Sequence, residues 1–204
     1  MKAALSHHPA IRFVASLILW QMILLLTLSP LAGSYNQAFR AVGSFIYGAY
    51  NQEREVAFES PDPGGSDSHL RVVIVNPALM KADGSGPVRN VDIGTWGFGV
   101  GPLSLLASLV FASPVPWSRR GRILVSVVLI HQALVFTVLG YCIWIESSEV
   151  DLVSFSPTTK HIAIQLKNAL AGSMSLAIPL VAWAVITFRK EDRWWLPTGS
   201  DDLE

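Results

Sequence analysis

Few side chains in this sequence could do chemistry, and most of them stand in apolar surroundings. His131 and Cys142 both fall in an uncharged run, residues 123–145. A cysteine thiolate paired with an imidazole would be a nucleophile. On a helix, however, the two positions share nearly one face while standing roughly 16 Å apart along the axis, too far for a pair. His131 beside Gln132 therefore reads first as a hydrogen-bonding contact between helices, with a proton relay or ligand role as the alternative. Cys142 reads as a small apolar side chain. As the only cysteine of the chain, it excludes an intramolecular disulfide and a cysteine-rich metal site. Lys167 lies near one end of the last apolar run, where its amine can reach the membrane surface. Arg89 and Asp92 stand just ahead of the second apolar run and are expected to form a polar cluster there, structural in the first reading and functional in the second. His7, His8, His69, His131 and His161 are scattered without zinc-ligand spacing. No G-x-S-x-G, H-E-x-x-H or P-loop pattern occurs. The G-x-G-x-G string over 97–101 lacks a following lysine and opens an apolar run, so it does not read as a nucleotide loop. No catalytic residue, cofactor or metal ligand is assigned. The candidate polar functional residues are Arg89, Asp92 and His131.

The elements that must position these residues are set by hydropathy. Half of the 204 residues are hydrophobic and 15% are charged, against about 25% in a soluble domain. The deficit is concentrated in four apolar blocks, and a bilayer takes roughly 20 residues to cross. The expected fold is an integral membrane protein, mainly α. It has four transmembrane helices and a small extracytoplasmic α+β insert between the first two. The segments are a cytoplasmic N-terminus at 1–12, helix 1 at 13–30, the insert at 31–95 and helix 2 at 96–113. A basic turn follows at 114–122, then helix 3 at 123–145, a loop at 146–163, helix 4 at 164–188 and a cytoplasmic tail at 189–204. Arg119, Arg120 and Arg122 in the turn, and Arg189 and Lys190 after helix 4, place those segments in the cytoplasm by the positive-inside rule. Both termini are then cytoplasmic. Helix 1 lacks an A-x-A cleavage signature and reads as an uncleaved anchor rather than a signal peptide.

The insert opens with an i, i+3, i+4, i+7 apolar pattern over 34–50, an amphipathic helix that either lies on the outer leaflet or covers a sheet. Three short strands are expected at 53–59, 70–75 and 88–93, separated by Pro-, Gly- and Asp-rich turns. Gly97, Gly101, Ser104, Ser108 and Ala112 recur every three or four residues in helix 2, a stripe of small side chains that lets two helix backbones approach closely. Pro179 is expected to kink helix 4. The zero net charge calls for no nucleic acid partner. The partners expected are the lipid bilayer and another integral membrane protein.

The stretch 87–120 carries a more particular pattern. A polar strand with Arg89 and Asp92 leads into Ile93-Gly94, then Gly101-Pro102-Leu103 and a span of small residues and leucines. It ends in Ala112-Ser113-Pro114-Val115-Pro116-Trp117-Ser118-Arg119-Arg120. This resembles the small bacterial membrane proteins described as exosortase H-associated, in which a D-T-R-like segment enters an apolar span closed by an A-T-P…W-x-R-R-like turn. Here the D-T-R order is absent and Ser113 stands where a threonine would be. The resemblance covers about half of the chain. It implies a non-catalytic partner of a membrane sorting enzyme, and carries over no catalytic residue. The functional expectation is thus an accessory or scaffold subunit of a bacterial membrane complex for protein sorting or surface-protein processing. The alternatives are an enzyme or transport subunit using polar groups at the outer membrane–water boundary, and a ligand-binding membrane sensor.

Overall fold

The structure, a computed structural model, describes residues 9–48, 55–60, 69–94, 96–174 and 177–187. Arg189 and Lys190, the turn at 61–66 and the start of the first predicted strand lie outside the described residues. The protein is mainly helical, with one small antiparallel sheet. Helix α1, Pro9–Leu28, is apolar apart from Arg12, Gln21 and small hydroxyls. It does not end at Pro30. A 3-10 turn, Ser29–Leu31, takes the proline at its start, where a missing N–H costs little, and the flanking Leu28 and Ala32 keep right-handed helical angles. The chain runs on as α2, Ala32–Gly43, and a wider π-type turn, Ser44–Gly48. The anchor at 13–30 and the separate insert helix of the sequence reading are therefore one helical run, Ala10–Gly48.

The buried stripe of α2 also differs from the apolar one expected. Asn36, Phe39 and Gly43 are buried, while Val42, Phe45 and Ile46 face outward. Close fit decides the rotation. Phe39 stacks on Phe136 with ring centroids 4.7 Å apart, and a Cβ on Gly43 would stand 2.7 Å from the Phe58 ring.

The sheet is a meander of β1, Glu55–Glu59, β2, His69–Val75, and β3, Val88–Gly94, in the order β1-β2-β3. Its three strands agree with the alternation in the sequence. Leu70, Val72 and Ile74 on β2 are all but fully buried and point to one face. Opposite them in register stand Val56 and Phe58 on β1 and Arg89, Val91 and Ile93 on β3. This face packs on Phe39 and on the Val135–Ile143 part of the next long helix.

A π-type turn, Trp96–Val100, leads into α3, Gly101–Ala112, and a four-residue turn later into α4, Trp117–Glu146. With its 3-10 extension α4 forms a run, Trp117–Val150, that is long and apolar enough to cross a membrane, as is Ala10–Gly48. Trp96–Ala112 is apolar but shorter. Helix α5, Pro157–Met174, and α6, Ala177–Thr187, complete the bundle. The boundary expected at residue 164 moves to Pro157 because Ser156 caps the helix. Its hydroxyl accepts the Thr159 N–H at 3.2 Å, and proline suits the first helical position. The loop predicted at 146–163 shrinks accordingly. Pro179 falls in the first turn of α6. The two residues before α6 lie outside the described ones, so the kink expected at Pro179 does too.

Helix α3 packs against α1, α4 and α6. Two apolar cores result, one at each end of α4. Leu106, Val110, Val115, Ile123 and Val127 form the core at the basic-turn end, and the other joins α4 to the sheet.

Candidate functional site at the sheet–bundle boundary

The strands fix where the polar groups go. Arg89 and Asp92 are three residues apart on β3, an odd separation, so they project to opposite faces of the sheet. They do not form the cluster the sequence predicts. On the outer face Asp92 accepts a hydrogen bond from Arg71 Nε at 2.9 Å, and Arg71 is its cross-strand partner. On the inner face Arg89 reaches over the end of the core to Glu146, its Nε donating to Oε2 at 2.8 Å.

Glu146 is the first residue beyond the uncharged run at 123–145, and sequence reading did not single it out. Its side chain is 9% exposed, and its second oxygen accepts from Lys167 Nζ on α5 at 2.7 Å. Each carboxylate oxygen is thus held by a different cation on a different element. Burial by itself would push the Glu146 carboxyl up. The hydrogen bonds from Lys167 and Arg89, with the attraction of the two charges, overcome that and hold it below the ordinary glutamate range. The same hydrogen bond and charge raise the Arg89 guanidinium. A signal for Glu146 was present in the sequence. Lys167 sits in an apolar helix and calls for a counter-ion, and Glu146 is the carboxylate at the matching end of the neighbouring run.

Beside this ion cluster an apolar cavity of about 200 Å³ lies between β3, α2, α4 and α5. Its walls include Phe39, Val91, Phe98, Leu139 and Cys142, and Glu146, Lys167, Asn168 and Asp92 stand around it. Cys142 is a wall residue with a free thiol.

His131 lies between the two apolar cores of α4, 1% exposed. Its Nε2 is 3.1 Å from the Phe98 carbonyl oxygen in the π-type turn before α3. Nδ1 has no hydrogen-bond partner among the described residues. Next to it, Gln132 Oε1 accepts from the Tyr35 hydroxyl at 3.2 Å. Tyr47 donates to the Phe136 carbonyl. These bonds tie the run after α1 to α4. Among the described residues neither Cys142 nor any carboxylate is bonded to His131.

The small-residue stripe is occupied within the chain. Gln21 of α1 donates from Nε2 to Ser104 Oγ at 3.0 Å and accepts from Ser108 Oγ at 2.8 Å. Both serines are fully buried. A Cβ on Gly101 would stand 2.9 Å from the Trp96 carbonyl oxygen, while one on Gly97 would meet nothing within 4 Å. Ala112 ends the stripe half-buried. The partner helix that the stripe calls for is α1 of the same chain.

Two of the turn arginines have local partners. Arg120 donates to the Val115 and Ser113 carbonyls at 2.9 and 3.1 Å and lies over the Trp117 ring. Arg119 donates to the Thr187 carbonyl at the end of α6 at 3.2 Å. Cations at helix C-termini satisfy carbonyls that the helix leaves open. Arg122 is exposed.

Among the described residues no group of three His, Cys, Asp or Glu side chains could hold a metal. Comparison with family models, with curated proteins and with solved structures found no match to this chain.

Proposed function

We propose that this chain is a four-span membrane protein of the bacterial inner membrane, acting as a non-catalytic accessory or scaffold subunit of a membrane complex. In this reading the spans are α1, the Trp96–Ala112 run, α4, and α5 with α6. The basic turn and both termini are cytoplasmic, and the sheet is extracytoplasmic. The length of α4 supports it. Thirty residues make about 45 Å of helix, so a hydrocarbon core of ~30 Å leaves Arg119 at one end and Glu146 at the other in polar surroundings. The outward face of α1, with Ile18, Leu19, Met22 and Leu26 all more than half exposed, suits acyl chains.

The observation that carries the accessory role is how the polar groups are used. His131, Glu146, Lys167, Arg89, Asp92 and Gln21 are each bonded to another element of the fold. Meanwhile Val42, Phe45 and Ile46 stand exposed on the run next to the sheet, with Phe45 80% exposed. Exposed apolar side chains grouped beside the sheet suit an interaction site. Following the resemblance at 87–120, the partner is a membrane sorting enzyme.

The test is affinity purification in mild detergent from the native membrane, with mass spectrometry of what co-purifies. One stoichiometric membrane partner, lost from Val42→Asp and Phe45→Asp variants that keep the wild-type melting temperature, is expected. Co-purification unchanged by both substitutions, or a protein that purifies alone, would overturn the reading. The cavity beside Glu146 favours one second reading, a ligand-binding membrane protein.

A further inference from the structure

We infer that the free edge of β3, with the cavity that opens beside it, is a strand-addition site for an extended segment of a partner protein, one that carries a basic residue between two apolar ones. The inference rests on the accessory reading above for the existence of a partner, and it names the kind of segment that docks.

The backbone calls for a strand. β3 pairs with β2 through all seven of its residues, with no bulge. Successive residues of a strand turn their N–H and C=O groups to opposite sides, so about half of those on β3 point away from β2. Among the described residues, no backbone group of Val88–Gly94 has a backbone partner outside the sheet. Folded proteins blunt such an edge with proline, lysine, a bulge or a covering element. β3 contains neither proline nor lysine, and its one inward charge, Arg89, is tied to Glu146. The other edge strand differs. The π-type turn Ser44–Gly48 packs against β1, with the Tyr47 and Phe58 rings stacked at 6.3 Å.

The cavity lies at the same edge and not beneath the sheet. Three consecutive residues of β3, Val91, Asp92 and Ile93, line it, and no described residue of β1 or β2 does. Its far walls are one stripe of α4, from Val135 to Cys142, and Lys167 and Asn168 of α5. A strand laid beside β3 turns alternate side chains to the face of Val91 and Ile93, and the cavity receives them. A cavity of about 150 Å³ admits a benzene ring, so one of about 200 Å³ has room for an aromatic ring or a pair of small aliphatic side chains.

Charge sets the residue between them. Asp92 projects to the outer face, is 60% exposed, and bonds through Oδ1 to Arg71 on β2. Opposite charges in facing positions stabilise a strand pair. A lysine or arginine facing Asp92 from the added strand extends that row as cation, carboxylate, cation. The cavity lining itself holds two carboxylates, Asp92 and Glu146, against one cation, Lys167, which favours the same sign. A second copy of this chain does not supply it. The outer face of β3 carries Val88, Asn90, Asp92 and Gly94, so β3 paired antiparallel on itself sets no cation opposite Asp92.

The experiment uses the full chain in mild detergent and a short fluorescent peptide in which threonine and valine alternate around a central lysine. Anisotropy is read with binding to empty micelles subtracted. Saturable binding is expected, and hydrogen exchange at alternate amides of 88–94 should slow about tenfold while 55–59 stays unchanged. Methylating the amide nitrogens of every second residue blocks one edge of the peptide. Of the two such peptides, one should bind as the parent does and the other about tenfold more weakly. Asp92→Lys should weaken the lysine peptide about fivefold and bind a glutamate-centred peptide in its place, which also shows that the variant is folded. Leu139→Trp fills the cavity and should weaken both peptides. No saturable binding, equal binding of the two methylated peptides, or a lysine preference unchanged in Asp92→Lys overturns the proposal. So does a co-purifying partner retained in full by the Asp92→Lys, Leu139→Trp double variant, a result that leaves the accessory reading standing. A chain that purifies alone yet shows the expected peptide binding overturns that reading and not this one.

Discussion

Replacing Glu146 by glutamine keeps its shape and removes the charge that Lys167 and Arg89 both face. Because the folded carboxyl is held below its ordinary value, the ionised form stabilises the fold. That contribution is fully present above the unfolded pKa, about 4.3, and is lost as pH falls through the lower folded value. The melting temperature in mild detergent should therefore hold steady from neutral pH to about 5 and drop below about 4.3, with a smaller drop in Glu146→Gln. An identical acid profile for the two proteins would remove Glu146 from the account. The two cations are unequal. Lys167 is 24% exposed and Arg89 49%. Lys167→Met should cost about 3 kcal/mol, as when one partner of a buried pair is removed, and Arg89→Gln about 1 kcal/mol or less. Similar losses from both would mean that the exposed Arg89 carries more of the pairing than its burial allows. His131 belongs to this scale as well. Its bond to a carbonyl 33 residues away in sequence is invisible in a list of residue types, which shows only that a polar ring in an apolar run needs a partner.

At the scale of elements, one amide between two serines bridges α1 and α3 alongside their apolar packing. Interhelical hydrogen bonds in membrane proteins average about 0.6 kcal/mol, so Gln21→Leu should cost about 1 kcal/mol for the two. The combination with Ser104→Ala and Ser108→Ala should recover most of it, since removing all partners leaves no buried donor or acceptor unmet. Thermal unfolding in mild detergent measures both. A triple variant less stable than Gln21→Leu would mean that the serines act through packing and not through Gln21. The stripe of small residues was legible from spacing, because period is local. Which helix fills it was not, because Gln21 and Ser104 meet only when the chain has crossed back. The strands were legible for the same local reason, and their register then decides that Arg89 and Asp92 part company. The continuity of α1 into α2 was missed because proline is read as a stop, although at the opening of a helical turn it is tolerated.

For the whole molecule, orientation is the property to measure. In a Cys142→Ser background, a cysteine at Thr158 should react with a membrane-impermeant thiol reagent added to spheroplasts. A cysteine at Ser118 should react only after lysis. Both positions are exposed in the structure, so burial does not confound the result. The reverse pattern would put the basic turn outside and invert the topology. The two apolar cores at opposite ends of α4 make the bundle and the sheet one body, so the sheet side of the membrane is settled by the same measurement.

By itself the sequence determined that this chain is mainly helical with three short strands and apolar runs long enough for a membrane. Those features come from hydropathy and side-chain period, which act over a few residues and need no distant partner. Only the tertiary structure decided that the stripe on α3 is filled by α1, that Glu146 and not Asp92 receives Arg89, and that a groove runs along α4 beside that pair. Each of these joins residues far apart in the chain. Which groups meet depends on helix rotation, strand register and the close fit of rings such as Phe39 on Phe136, and no local pattern encodes that.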